Sequence, residues 1–535
     1  PKAPGAPSRS TAGRFVRSDQ AATCCFDLPR NTASDGARRR RMSWTDEDPG
    51  LPIKFGPCSN GEYDPEPRLP LVLRETIVRA RADCERNARR LGMSRREFLL
   101  SAMGAATTLL ALNSCTREAT RARSPGSTPG GTYSIPPEAT TETPAARGAI
   151  GGEEFIFDIQ GHLLEYDLNP ILNGQDFWRL FPQQNCGEKD PRVCFSIEQF
   201  MELMFIRSDT SMLVLSALPI YPKGSPLSPQ IMNETRLIAE SLCQDDRVLL
   251  HAQVLPNVGK LSDALQGMAD IIKRYPIVAW KVFTLFPDNE YNDGQGWFLD
   301  DHDPTVPQVG EPFIQQALAL AKPTICAHKG LSRGSRFGTP SDVGPAAAKH
   351  PNANFVVYHS GYEAGGFEGP YTSATANIGV NRLITSMKRN GIKPNTNVYA
   401  ELGSTWWYIM RYPTTAAHVL GKLLKYVGED NVLWGTDDLF YGSPQDQIHA
   451  MRSFQISEEF QNRFGYPALT PQIKAKILGL NGAKLYGIDP ITTRCEFTRK
   501  ELEQLRRQLP GASYTLGPQT AIEADAFRAG HAGMP

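Results

Sequence analysis

From Gly151 onward, short apolar runs bounded by turn residues alternate with longer segments whose apolar positions recur at helical spacing. The short runs are FIFDIQGH (155–162), SMLVLSALP (211–219), RVLLHAQVLPN (247–257), PIVAWKVFT (276–284), PTICAHKG (323–330), NFVVYHSG (354–361), NVYAELGS (397–404) and NVLWGTDD (431–438). Their nearly unbroken apolarity suits parallel strands buried on both faces. Helical periodicity follows over residues 228–245, 260–276 and 414–430. Ser443-Pro444 and Thr470-Pro471 place a capping residue before a proline, which predicts two further helix starts.

Eight strand–helix units within residues 151–490 predict an α/β chain folded as a (β/α)8 TIM barrel with insertions. A doubly wound open sheet is the alternative, but no Gly-rich phosphate turn follows the first strand. Residues 491–535 read as a tail, with Thr498 and Glu501 placed for a capping box of a helix through Leu509.

The front of the chain has a different pattern. Residues 1–93 read as a basic leader, mostly disordered, with the run Arg38–Arg41 and one charged helical stretch over 71–91. Met42 and Met93 are alternative starts. Ser94-Arg95-Arg96-Glu97-Phe98-Leu99-Leu100 then precedes a mildly apolar run ending at Cys115. Phe98 to Leu112 is 15 residues, too short to span a bilayer but suited to the apolar region of an export signal. The paired arginines resemble a twin-arginine signal, and Leu112-Asn113-Ser114-Cys115 resembles a lipobox. Those resemblances imply the twin-arginine export machinery as a partner, with a periplasmic or lipid-anchored lipoprotein as the product. An ordinary buried helix starting at Arg95-Arg96 is the alternative. Residues 116–150, rich in Thr, Pro, Gly and Ala, read as a flexible linker.

Charge sharpens this division. The 57 basic and 57 acidic residues balance, which excludes a nucleic-acid binder driven by bulk positive charge. Residues 1–149 hold 23 Lys/Arg against 16 Asp/Glu, so the remainder is acidic by the same margin. Ten cysteines are too few for a disulfide scaffold in this length. Cys186 and Cys194 share one loop, where a bridge and two free thiols are both compatible with the spacing. Cys326 reads as a small buried hydrophobe. No nucleophile elbow, Walker loop or His-Glu-x-x-His helix occurs.

The carboxyl ends of barrel strands converge on one face, where chemistry is done. The predicted ends carry Gln160 and His162, Lys281, His328 and Lys329, His359, Glu401, and Asp437 with Asp438. Of nine histidines in the chain, three fall on this rim, whereas His251 lies mid-strand and reads as packing. Imidazole nitrogen and carboxylate oxygen are the ligands zinc takes, with one position left open for water.

The ordered set Gln160-Gly161-His162, Lys281, His328, His359 and Asp437 resembles the amidohydrolase superfamily. The segments AHKG, VYHSG and VLWGTD, with KAKILGLNGAKLYGI, are similar to its amidohydrolase-2 branch. The resemblance implies a divalent metal, Zn2+ first with Mn2+ or Fe2+ as alternatives, held by Gln160, His162, His328 and Asp437. Gln160 stands where the family carries the first histidine of His-x-His, and a glutamine oxygen is a weaker ligand. The resemblance also gives Asp437 the role of taking a proton from water, and His359 that of polarising the substrate or donating a proton. Lys281 stands where some members carry a carboxylated lysine; a plain lysine that holds a substrate carboxylate is the alternative. Glu401, Lys329 and Arg382 are candidate substrate contacts. Trp406, Trp407 and Tyr408 either wall the pocket or pack.

Three functions are weighed. The first is metal-dependent hydrolysis of an amide, ester or lactone in a small molecule. The second is non-oxidative decarboxylation of a small aromatic or dienoic acid on the same site. The third is a lipid-anchored barrel that binds a ligand without catalysis.

Overall fold

The computed structural model describes residues 50–56, 59, 60, 62, 63, 68–165, 194–218, 225–243, 246–285, 296–332, 334–366 and 368–490. Within these, β1 (Gly131–Tyr133) and β10 (Phe454–Ile456) form an antiparallel pair outside the main sheet. The main sheet holds β2 (Phe157–Gly161), β3 (Met212–Ser216), β4 (Val248–Gln253), β5 (Ile277–Val282), β6 (Thr324–His328), β7 (Asn354–Tyr358), β8 (Val398–Glu401) and β9 (Val432–Leu433). All eight run parallel in chain order. Each lies inside the range its apolar run predicts.

The sheet closes on itself. Gly161 bridges Asp438 in parallel sense, the Ile159 N–H donates to the Trp434 carbonyl (3.0 Å), and the Asp437 N–H donates to that of Gln160 (2.9 Å). The fold is a TIM barrel. Alternate strand residues face opposite ways, so Phe157, Ile159, Val214, Cys326, Val356 and Leu433 gather in one inner cluster. Leu213, Leu250, Trp280, Ile325 and Phe355 instead join the core beneath the helices. Burying each large side chain of this kind is worth about 1.5–3 kcal/mol.

The predicted helices form at Pro229–Cys243, Leu261–Arg274 and Pro413–Tyr426. Thr470 caps its helix through the Ile473 N–H (3.2 Å). Ser443 is no N-cap: its hydroxyl donates to the Arg207 carbonyl, and the helix starts two residues later at Gln445. The Thr498 capping box, Arg38–Arg41 and Cys186 lie outside the described residues. Cys194 is disulfide-bonded, and Cys326 is a buried free thiol.

The N-terminal expectations need correction. Helix α1 (Leu71–Leu91) forms where periodicity predicts it and buries Leu73, Ala80, Cys84 and Ala88 along one stripe. Ser94 then caps α2 (Arg95–Leu99) in a capping box with Glu97. Helix α3 (Ala102–Arg123) packs on α1 and runs straight through the lipobox-like sequence, with Leu112 and Cys115 buried. The buried-helix alternative thus describes 94–115 here.

Residues 116–150 are not a flexible linker either. They finish α3, supply β1 and form α4 (Thr143–Ile150). Asn113 locks this segment by donating to the Tyr133 carbonyl (2.7 Å) and accepting from the Tyr133 N–H (2.9 Å). The glycines that suggest flexibility serve close packing: a Cβ at Gly130 would sit 2.1 Å from the Phe460 ring. Among the described residues before Ser94, Leu51, Ile53 and Phe55 are also buried. No helix among the described residues is long and apolar enough to cross a membrane.

Candidate metal centre

Barrel closure places the ends of β2 and β9 side by side, and this builds the first half of the site. The His162 Nδ1–H donates to the Ser216 carbonyl (2.7 Å), which turns its Nε2 towards Asp437 Oδ1 at 3.0 Å. Gln160 Nε2 donates to the same oxygen at 2.9 Å, while Gln160 Oε1 is buried without a hydrogen-bond partner. Asp437 Oδ2 accepts from Ser404 Oγ (2.5 Å) and Asn60 Nδ2 (2.6 Å). Burial alone raises the Asp437 carboxyl, but the His162 contact, the charges nearby and Ser404 outweigh it and hold the group below its ordinary range.

The second half comes from β6 and β7. The His359 Nδ1–H donates to the Gly403 carbonyl (2.8 Å), which aims a bare Nε2 at His328 Nδ1, 3.2 Å away. Burial pushes His359 down to about 4 and His328 well below its usual value, the latter helped by the charges of His359 and Lys281. Both are therefore neutral near pH 7, the form in which imidazole binds metal. Phe283 packs beside the His328 ring at 5.4 Å. Glu62, from the N-terminal segment, reaches His328 Nδ1 (3.3 Å) and His359 Nε2 (3.5 Å).

The backbone pays for this arrangement at three strand ends. His359, Ser404 and Asp437 all have φ between 53° and 63°, a region L-residues seldom adopt.

The remaining predicted residues divide. Lys281 lies on the barrel floor with Nζ 3.3 Å from the Tyr358 ring centroid; burial pulls its pKa down to about 8 against the charges of Glu62, Asp437 and Glu401. Glu401 is buried and structural in its contacts, accepting from the backbone N–H groups of His359 (3.0 Å) and Gly403. Burial raises it to about 8. Gly403 and Gly435 leave room for it, since a Cβ at Gly435 would lie 1.8 Å from Glu401 Oε1.

Lys329 is engaged within the protein. Its ammonium is fully buried against Asp342 (2.7 Å) and the Phe337 carbonyl (2.8 Å). Arg382 is likewise engaged, by Glu363 at 3.0 Å. His251 packs as expected, between the Tyr358 and Tyr486 hydroxyls. Trp406, Trp407 and Tyr408 are buried; Trp406 bonds the Gln447 carbonyl and Trp407 stacks on Tyr441.

Whether these residues suit a cation can be tested on their own contacts. His162 Nε2 and Asp437 Oδ1 face each other at 3.0 Å in the interior, where a proton or a cation must lie between them. His359 Nε2 lies 3.5 Å from the part-exposed Glu62. Gln160 Oε1 is also without a donor, but it faces Gly403 while its Nε2 faces Asp437. Among the described residues, the ligand atoms of Glu62, His328 and His359 all fall within 4.8 Å of one another. The donor set fits a divalent ion.

Residues 333–488 match the amidohydrolase family model (Amidohydro_2). The match takes in His359, Glu401 and Asp437 and stops short of Gln160, His162, Lys281 and His328. It supports the amidohydrolase superfamily, and with it an enzyme. Curated proteins give no significant match. Among solved structures, the chain resembles an uncharacterised TIM-barrel protein from Bordetella bronchiseptica at 14% identity and a TM-score of 0.40, covering 62% of this chain and 98% of that one. A 4-oxalomesaconate hydratase from Rhodopseudomonas palustris aligns at 16% identity and a TM-score of 0.39, covering 62% and 96%. A dihydroxybenzoic acid decarboxylase from Polaromonas sp. JS666, with bound manganese, aligns at 14% and 0.34, covering 63% and 97%.

Asn60, Glu62, Ser404 and Tyr441 escaped sequence reasoning. The alternation of Leu51, Ile53 and Phe55 was the available signal that the segment before Glu62 is packed.

Proposed function

We propose that the chain is a metal-dependent hydrolase of the amidohydrolase superfamily, using water to cleave the amide, ester or lactone bond of a small molecule. The observation that carries this reading is the facing of His162 Nε2 and Asp437 Oδ1 at 3.0 Å, with a proton or cation required between them. His162, His328 and Asp437 would hold the ion, with Gln160 beside them; Zn2+ is the first expectation, Mn2+ or Fe2+ the alternatives. A divalent ion there supplies Lewis acidity that lowers the pKa of water towards about 7 and polarises a carbonyl.

The chain's own groups do the rest. Asp437, held ionised, takes the proton from the attacking water and returns it to the leaving nitrogen or oxygen as the acyl C–N or C–O bond breaks. Ser404 and Asn60, both bonded to Oδ2, fix the carboxylate so that one oxygen stays turned to His162. His359 presents a neutral Nε2 whose direction is set by the Gly403 carbonyl. Lys281, with no carboxylate at salt-bridge distance among the described residues, is the cation available for an acidic substrate group.

That same lysine favours decarboxylation of a small aromatic or dienoic acid as the second reading, because it would hold a substrate carboxylate over the aromatic floor. Metal analysis of the purified chain, followed by a panel of lactones, amides and aromatic acids, tests both. About one divalent ion per chain with metal-dependent turnover is expected. Release of carbon dioxide instead of hydrolysis selects the second reading. Full activity in a metal-free preparation would sink both.

A further inference from the structure

The described residues from Lys54 to Tyr63 act as a strap across the barrel mouth. Lys54 anchors it: its buried ammonium lies 3.4 Å from Asp446 and donates to the carbonyls of Tyr441 (2.5 Å) and Ser443 (2.8 Å). Arg411 donates to the carbonyls of Phe55 (3.4 Å) and Gly56 (3.3 Å). At the far end, the Tyr63 hydroxyl meets that of Tyr441 at 3.1 Å. Between these anchors, Asn60 accepts from the Glu62 N–H (2.9 Å) and donates to both Glu62 Oε2 (2.5 Å) and Asp437 Oδ2 (2.6 Å). Asn60 therefore sets the spacing of two carboxylates.

We propose that Glu62 is a ligand of the metal centre, delivered from outside the barrel and bound on the side of His328 and His359. This rests on the reading that the mouth holds a divalent ion. The geometry is specific. His328 Nδ1, His359 Nε2 and Glu62 oxygens are separated by 3.2, 3.3 and 3.5 Å. Ligands about 2.0–2.1 Å from a tetrahedral ion lie about 3.3 Å from one another.

Charge points the same way. Gln160 is neutral and, as oriented, donates to Asp437 instead of offering its oxygen. His328 and His359 bring no negative charge to an ion on their side, and an uncompensated charge in a buried site is costly. Glu62 brings one. Its side chain is 27% exposed while both histidines are buried, so it stands at the rim with solvent access beside it. Glu62 thus supplies from the strap what Gln160 does not supply from β2.

The test titrates the full chain with Co2+ alone, following calorimetry and the visible cobalt absorption, for wild type, Glu62→Gln and Asp437→Asn. The proposal expects Glu62→Gln to weaken Co2+ binding by at least the about 10–100-fold that loss of an outer partner costs, and to change the absorption band. Glu62→Asp, which keeps the charge and shortens the reach, recovers part of the affinity. If Asp437→Asn abolishes binding while Glu62→Gln leaves affinity and spectrum unchanged, the proposal is overturned and the reading of the site stands. Wild type that takes up no Co2+ overturns both.

Discussion

Asn60 donates to Asp437 across 2.6 Å of space and 377 positions of sequence. One residue belongs to a strap ahead of the first helix, the other to the end of the last barrel strand. The contact joins the part of the chain that reads as a basic leader to the carboxylate on which the proposed chemistry depends.

Asp437→Asn keeps the shape of the side chain and removes its charge. Turnover should fall by about 100-fold or more, the range for loss of a proton-transferring group. Steady-state kinetics at saturating metal measure this, and unchanged turnover would leave the carboxylate without a catalytic role.

Lys54→Met removes the cation that faces Asp446 in the interior. An uncompensated buried charge typically costs about 3–5 kcal/mol. Urea unfolding should show a loss of that order, with much of it recovered in the Lys54→Met, Asp446→Leu double variant. A wild-type-like single variant would show that the strap is not anchored through this pair.

Gly435→Ala puts a methyl group 1.8 Å from the Glu401 carboxyl, where no flexible chain end is free to yield because Glu401 holds two backbone N–H groups. Overpacking of this kind costs about 1–3 kcal/mol. Thermal melting should report it, and turnover should fall with it, since Glu401 supports the backbone of His359.

His418 lies on the outer helix Pro413–Tyr426, against Phe460, Phe464 and the Tyr466 hydroxyl (3.0 Å). Burial first, then the charges of Lys422 and Arg463, push it down to about 4 from the ordinary 6.5. Between those values the unfolded chain binds more protons, so stability falls as pH drops from 6.5 to 4. The contribution is about 2–3 kcal/mol. Unfolding curves of His418→Gln should lack this part of the pH dependence; identical slopes for both chains would contradict it.

Processing at Cys115 and a metal ligand at Glu62 exclude each other in one molecule. Cleavage there would remove α1, α2 and most of α3 along with Asn60 and Glu62. N-terminal sequencing of protein taken from its natural compartment should find residues before Ser94. A chain starting at Cys115 would instead support export as a lipoprotein and show the weaker Co2+ binding of Glu62→Gln.

The barrel was legible because its information is local. Eight apolar runs of β length, separated by helical periods, dictate eight strand–helix units, and the rule that chemistry gathers at strand ends pointed to His162, His328, His359 and Asp437. The same local reading could not supply the partners of Lys329 and Arg382, because Asp342 and Glu363 lie elsewhere in the chain and give no signal at fixed spacing. It failed before Gly151, where glycine and proline suggested a tether. There a Cβ at Gly130 would strike the Phe460 ring, so the small residue marks close packing. By itself, the sequence determined the strands, their order and which strand ends carry ligand-type side chains, because periodicity and residue chemistry are properties of neighbouring positions. Only the tertiary structure decided that the site falls into two halves, that Lys281 has no carboxylate at salt-bridge distance among the described residues, and that Asn60 and Glu62 enter from the strap. Those facts depend on contacts between residues hundreds of positions apart, and such contacts leave no period in the chain.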